Sequence, residues 1–542
     1  MKPDISRVAA TVAAATLVVV VSSSSAQALV WRFPLQIPSQ AGAAQAAGDV
    51  ATHGDSPAAT DSHSPRKRHA TKSRAKSTSG TTAGWATTTG KAALASAIGG
   101  ALANHTRGGE WGAIVVSLTR GDTLFEENAD TPLEPASTMK MYTSAVTLDH
   151  FGPDYTFRTS VFRDGPVGAG GIVAGNLYIR GVGDPSLSAR FWHQQEPMDA
   201  LAREIAGTGI KHIRGDIVGD ATAFDDKLIP DGWKTSYLGA AYAARVSALS
   251  LNENLVWIVV KPQGGKAVVT LDPATTTIPV ENLVHLTGGS GGHISAIHKP
   301  DGGLSVRGTI GANSGPLRYS LVVDNPALFT TGALRAALQS AGVTVDGQTR
   351  LGATPANATE VAAVASPPLA QIIGEMDRES INIFAELLFR ATAHDELHEQ
   401  GSAESGLANL RQFLTKKVGT SPNVVTVSDG SGLSPLDHVT PRSMVQLLSY
   451  VHHAPWGPVF HAALPVEGES GTLKRHGKGA PSRGNLHAKT GTTNTVAALG
   501  GYVTAKDGEV LAFSLIYNGA DRWNAKAAMD EIGATMAEFV RD

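Results

Sequence analysis

Ser137-Thr138-Met139-Lys140, Ser380-Ile381-Asn382 and Lys489-Thr490-Gly491-Thr492 stand far apart in a chain of 542 residues, yet the chemistry they can do together needs all of them at one place. An S-x-x-K, an S-x-N and a K-T-G in this order are the elements of a serine acyl-transfer site, in which the nucleophile and its activating amine share one helix turn. The chain must therefore leave the neighbourhood of Ser137 and return to it.

Each element has its own physical reason. Pro135 and Ala136 precede a run of helix formers through Met141, Ala145 and Leu148, which puts Ser137 in the first turn of a helix, where residues three apart share a face. Ser137 and Lys140 then touch. A serine hydroxyl is a weak nucleophile at neutral pH, and a desolvated lysine near another cation becomes neutral enough to take its proton. Lys140 is the candidate base and Lys489 the second cation, with backbone N–H of Ser137 and a second donor from Thr492 as the candidate oxyanion hole. Residues 486–492, 496–503 and 509–517 read as strands joined by tight turns, so Lys489 lies on a sheet strand. Such a strand can offer its edge to a peptide. Lys489, Thr490 and Thr492 then supply a cation and hydroxyls to a terminal carboxylate, and Gly491 leaves room for the substrate's approach. Ser380 and Asn382 precede residues 383–390, which read as an amphipathic helix. Ser380 could relay a proton between Lys140 and the leaving group, and Asn382 could bind a substrate amide through its carbonyl and its NH2.

Alone, each motif has a blander reading: a helix start with a solvated lysine, a helix cap, a strand running into a turn. Their order and their fitting secondary structure favour the catalytic reading. Pro135-Ala136-Ser137-Thr138-Met139-Lys140, Asp377-Arg378-Glu379-Ser380-Ile381-Asn382, Asp429-Gly430-Ser431-Gly432-Leu433-Ser434 and Ala488-Lys489-Thr490-Gly491-Thr492 resemble the class C low-molecular-mass penicillin-binding proteins. These are D-alanyl-D-alanine carboxypeptidases and endopeptidases. Residues 177–185, 247–254 and 464–473 add to the resemblance, which runs from near Ala93 to the C-terminus. It implies an α+β fold of the β-lactamase and DD-peptidase type, an antiparallel sheet flanked by helices, with catalytic Ser137, Lys140 and Ser380 and substrate-binding Asn382, Lys489, Thr490, Gly491 and Thr492. It also implies removal of the terminal D-alanine from peptidoglycan stem peptides, or cleavage of D-alanyl crosslinks, and acylation by β-lactams as covalent inhibitors. Leu436-Asp437-His438 departs from the family's pattern after D-G-S-G-L-S, which bears on local substrate contacts and not on the chemistry.

Composition narrows the rest. The net charge of −3 argues against nucleic acid as a partner, and the absence of cysteine excludes a thiol nucleophile, disulfides and thiolate metal sites. Lys2 and Arg7, the apolar residues 8–21, serines 22–25 and then Ala26-Gln27-Ala28 follow the order of a secretory signal, read as residues 1–28 with cleavage after Ala28. A retained anchor is the alternative, although the apolar stretch is shorter than the ~20 residues a spanning helix needs. Residues 29–90 read as a disordered linker. Its basic cluster, Arg66-Lys67-Arg68-His69 with Lys72, Arg74 and Lys76, suits weak association with an anionic envelope or simple solvation.

Residues 111–118 and 123–127 read as a hairpin turning at Arg120-Gly121-Asp122, and pairing it with the strands after Lys489 builds one sheet from both ends of the chain. The expected division is a peptidase domain of residues 91–155 and 366–542, interrupted by a mainly β insertion of residues 156–365 with a helix at 326–341. The insertion is expected to affect substrate choice more than acylation. Gly288-Gly289-Ser290-Gly291-Gly292 is followed by strand-like sequence and reads as a hairpin tip, not a phosphate cradle. His394-Asp395-Glu396-Leu397-His398 has zinc-like histidine spacing but lacks the general-base glutamate and an evident third ligand, so the reading includes neither metal nor cofactor. His487 could share a strand face with Lys489 without a required role. The competing functions are a β-lactam hydrolase, which would need a dedicated deacylating water, and a non-catalytic wall-binding protein, for which a nucleophile beside a base is superfluous.

Overall fold

The computed structural model describes residues 85–542. The expected signal segment, the basic cluster and the linker up to residue 84 lie outside the described residues. The end of the segment read as linker is structured: Thr88–Thr89 pairs in parallel with Phe539–Val540, so the folded body begins before Lys91.

A five-stranded antiparallel sheet runs in the order His487–Thr492, Val496–Thr504, Val510–Asn518, Glu110–Ser117, Thr123–Glu127. Successive side chains on a strand point to opposite faces, and here both faces are covered. Ala113, Val115, Ala497, Leu499, Phe513 and Leu515 pack with Leu94, Ile98 and Leu102 of the helix Lys91–His105 and with Ala528, Met529 and Ile532 of the helix Arg522–Ala537. The alternate residues Ile114, Val496, Ala498, Ala512 and Ile516 join a second core on the other face. That core is built around two helices, Lys140–Phe151 and Asn382–Leu397, which pack on each other.

The second of these helices corrects the amphipathic reading. Every residue from Asn382 to Ala393 is buried, Glu386 and Arg390 included, because neighbouring elements cover the helix on all sides.

Between the two helices the chain forms further sheets. One of five strands runs in the order Thr349–Leu351, Ile217–Asp220, Leu177–Arg180, Arg158–Arg163, Thr359–Ala365, with the helices Pro197–Gly207 and Pro326–Ser340 packed on it. Another has Leu255–Gln263 between Lys266–Asp272 and Leu317–Val322. It shares a small core with a third, in which Leu304–Gly311 lies between Val280–Thr287 and Gly292–His298. That order corrects the reading of the Gly288–Gly292 stretch: the strands it joins do not pair with each other, since Leu304–Gly311 lies between them, parallel to one and antiparallel to the other. The glycines form a crossing connection and not a hairpin tip.

Candidate active site

The segment that carries Ser137 is a 3-10 turn, Ala136–Met139, running directly into the helix Lys140–Phe151. Ala136 has φ 45°, a left-handed conformation that costs a side-chain-bearing residue roughly 1–2 kcal/mol. Two glycines from distant motifs accommodate this turn. A Cβ on Gly491 would lie 2.6 Å from the Pro135 carbonyl oxygen, and one on Gly432 would collide with the Ala136 carbonyl. Gly491 therefore makes room for the nucleophile's own turn, a closer constraint than the substrate approach expected of it.

Lys140 is fully buried, and its Nζ meets three oxygens: Ser137 Oγ at 3.1 Å, Asn382 Oδ1 at 2.6 Å and the Ser431 carbonyl at 2.8 Å. The carbonyl and the amide oxygen can only accept, and Asn382 Nδ2 donates to the Tyr242 carbonyl at 2.9 Å, which sets the amide's orientation. Two N–H bonds of Lys140 are thereby committed. The third position, an N–H in the ammonium and a lone pair in the amine, is directed at Ser137 Oγ. Burial lowers the Lys140 pKa to about 8 against the opposing charges of Asp429, Glu386, Asp377 and Asp437. The sequence reading gave Asn382 to the substrate; its Oδ1 and one N–H are instead engaged within the protein, leaving one N–H for a ligand.

Lys489 is equally buried, and its Nζ donates to Ser380 Oγ at 2.8 Å and to the Thr490 carbonyl at 3.1 Å. Burial, and then the charge of Lys140, lower its pKa, while Asp377 opposes them. Ser380 is the left-handed residue, φ 58°, that ends the helix Leu369–Glu379, two positions before Asn382 begins the next helix. Its hydrogen bond is to Lys489 and none joins it to Lys140, so a proton relay through Ser380 starts from Lys489. Thr490 Oγ1 donates to Thr472 Oγ1 at 2.7 Å, and Thr492 is exposed at the end of the same strand.

Several functional contacts escaped the motif reading. Asp429 folds the D-G-S-G-L-S loop by accepting from the backbone N–H of Ser431, Gly432 and Ser434 at 3.0, 2.6 and 2.7 Å, and from Trp233 Nε1 at 2.7 Å. The Gly430 N–H donates to both oxygens of Glu386, and Thr143 Oγ1 donates to the Gly430 carbonyl at 2.7 Å. This loop delivers the Ser431 carbonyl to Lys140. In the departing stretch Leu436-Asp437-His438, Asp437 is buried and its Oδ1 accepts from the Ser428 N–H at 2.6 Å, while burial and Asp429 push its pKa well up. The aspartate in D-G-S-G, a residue given to accepting backbone N–H groups, was the available sequence signal. The carbonyl of Tyr242 had none.

The decoy histidines stay apart from this chemistry. His394 is helical while His398 is a left-handed cap, so the two do not share a helix face, and among the described residues no group of three His, Cys, Asp or Glu is arranged to hold a metal. The His487 ring packs on His461, with centroids 4.3 Å apart.

A serine held by a buried lysine, beside a second buried lysine bonded to a second serine, defines the class: a serine acyl-enzyme on a sheet flanked by helices. Comparison with known proteins extends this. Residues 94–539 match the D-Ala-D-Ala carboxypeptidase 3 (S13) family. A D-alanyl-D-alanine carboxypeptidase of Actinomadura sp. (strain R39) is 34% identical over 447 residues, covering 79% of this chain and 81% of the relative. The carboxypeptidase DacB of Mycolicibacterium smegmatis is 27% identical, covering 83% and 85%. Penicillin-binding protein 4 of Haemophilus influenzae shares the fold with a TM-score of 0.68 at 23% identity, covering 81% of this chain and 97% of that one. This chain belongs to the D-Ala-D-Ala carboxypeptidase S13 family. It is a peptidase, a serine-type D-Ala-D-Ala carboxypeptidase on the penicillin-binding fold.

Proposed function

We propose that the reaction runs through an acyl-Ser137 intermediate, with Lys140 as base. Ser137 Oγ attacks the carbonyl carbon of the penultimate D-alanine as its proton passes to Lys140 Nζ. Backbone N–H of Ser137 and a donor from Thr492 take the developing oxyanion. The C–N bond then breaks as the leaving D-alanine nitrogen takes a proton from Ser380, Ser380 takes one from Lys489, and the proton gained by Lys140 restores Lys489. Water hydrolyses the ester and returns the enzyme. Lys489, Thr490 and Thr492 hold the terminal carboxylate, and the free N–H of Asn382 meets a substrate amide. The observation that carries this reading is the three-way coordination of Lys140 Nζ, which leaves its deprotonated lone pair facing Ser137 Oγ.

Peptidoglycan stem peptides are the proposed substrates and β-lactams the proposed covalent inhibitors. Family membership supports both, as does the β-lactam complex solved for the Haemophilus influenzae protein. Cleavage of D-alanyl crosslinks would be the same reaction with a longer leaving group. The proposed location is the extracytoplasmic envelope, supported by the signal-like residues 1–28; no described helix is long and apolar enough to cross a membrane. The division into residues 91–155 with 366–542 and an insertion of 156–365 is supported by the separate sheets that the insertion forms.

Mass spectrometry after incubation with penicillin, with peptide mapping, tests the nucleophile: the adduct is expected on the peptide containing Ser137. Release of free D-alanine from a diacyl-D-Ala-D-Ala peptide tests the activity. Rapid β-lactam turnover without D-alanine release would instead establish a β-lactam hydrolase.

A further inference from the structure

On the helix Arg522–Ala537, Trp523, Lys526 and Asp530 stand three and four residues apart and so share one face. The helix covers the sheet face opposite to the one that carries the Lys140–Phe151 helix, so its outer surface lies outside the cleft that holds Ser137. Trp523 is 67% exposed, although an indole is among the side chains that gain most from burial. Arg522 and Lys526 hold their cations over its ring, 5.1 and 5.0 Å from the centroid.

Asp530 extends this face to a second element. Its carboxylate accepts from His476 Nδ1 at 2.9 Å, which docks the segment around His476 on the helix. Lys474, Arg475, Lys478 and Arg483 of that segment are exposed, and among the described residues none of the four has a carboxylate within 4.0 Å. Of the acidic groups near them, Asp530 is engaged by His476, Glu467 is buried and Glu469 lies against Gly484. Both elements are fastened to the strand His487–Thr492. Arg522 Nη1 donates to the Thr493 carbonyl, just past Thr492. Thr472 Oγ1, two residues before Lys474, accepts from Thr490 Oγ1 at 2.7 Å.

We propose that Trp523, Lys526 and the cations of residues 474–483 form a second binding surface for the peptidoglycan polymer, which holds a glycan strand while one of its stem peptides occupies the cleft. The chemistry of that polymer matches the surface in two respects. The indole offers a flat amphipathic face to a sugar ring, and the unpaired cations suit the terminal carboxylates of neighbouring stem peptides. A short peptide in the cleft reaches neither group, so the surface acts on polymer alone. The proposal rests on peptidoglycan as the substrate.

Co-sedimentation with purified peptidoglycan, stripped of covalently attached phosphate polymers, tests it. The parent chain carries Ser137→Ala, which prevents turnover, and Arg66→Gln, Lys67→Gln and Arg68→Gln, so that the basic cluster near the N-terminus does not supply the binding. Adding Trp523→Ala, or Lys474→Gln with Arg475→Gln and Lys478→Gln, is expected to weaken binding about tenfold in each case. Raised salt should weaken the parent more than the charge variant. In chains that keep Ser137, the same additions should lower kcat/KM for D-alanine release from the polymer about tenfold and leave release from a diacyl-D-Ala-D-Ala peptide within about twofold. A parent that does not bind, or binding unchanged in either variant, overturns the proposal. An equal loss on polymer and peptide would mark damage to the fold or the cleft and overturns it as well. Binding seen only when the phosphate polymers are left in place assigns the surface to those polymers, again against the proposal. Should the intact enzyme release no D-alanine from the peptide, the underlying reading falls, and co-sedimentation still decides the surface.

Discussion

Lys140 is the residue on which the proposed chemistry turns, because three acceptors and complete burial decide what its nitrogen can do. Ser137→Ala is expected to abolish both penicillin labelling and D-alanine release. Lys140→Ala should lower both by about 100- to 10000-fold, the usual cost of losing a positioned general base. The acylation rate should climb as pH rises through the region near 8, where Lys140 sheds its proton and becomes a base. A stopped-flow pH series with a chromogenic β-lactam reads this limb. Lys489→Arg is not expected to restore the wild-type KM, since a planar fork cannot replace a compact ammonium between Ser380 and the Thr490 carbonyl.

At the scale of elements, the site depends on a strained turn packed against two bare backbones. Gly491→Ala places a methyl group against the Pro135 carbonyl, inside a sheet strand that cannot easily retreat. Gly432→Ala adds the penalty of φ 80° to a collision with Ala136. Both variants should fold less stably and acylate more slowly, with the loss of acylation exceeding what the unfolded fraction accounts for. Thermal melts run beside penicillin labelling separate the two effects. Trp233→Phe is gentler. It removes one donor from the buried Asp429 and should cost roughly 1–3 kcal/mol of stability, with a smaller loss of activity through the Ser431 carbonyl.

For the whole molecule, the proposed insertion of residues 156–365 divides into parts with unequal claims on the chemistry. Trp233 and Tyr242 belong to it and bond directly to Asp429 and Asn382. The proposal that the insertion affects substrate choice more than acylation therefore leaves out residues 230–246. It suits the sheet of residues 280–311, from which no hydrogen bond or ion pair reaches the three motifs and which packs on Ile258 and Val260. Excising residues 280–311 behind a short turn should leave penicillin labelling measurable in the folded variant, whereas excising 230–246 should abolish it. Intact-mass measurement of the penicillin adduct checks both.

What the sequence determined alone was local. Periodicity and turn residues located the hairpin before Ser137, the strands around Lys489 and the helix at Pro326, because strand alternation and turn chemistry are properties of neighbouring residues. The motif spacing placed Ser137 beside Lys140 for the same reason. Tertiary structure decided the pairings that no local pattern encodes. Ser380 bonds Lys489 and not Lys140, and the Asn382 amide points its oxygen at the base. The helix carrying Asn382 is buried on every side although its sequence reads as two-faced. The Tyr242 carbonyl belongs to a backbone whose position no side-chain motif records. Its contact with Asn382 joins residues 140 positions apart, and long-range packing sets where that backbone lies.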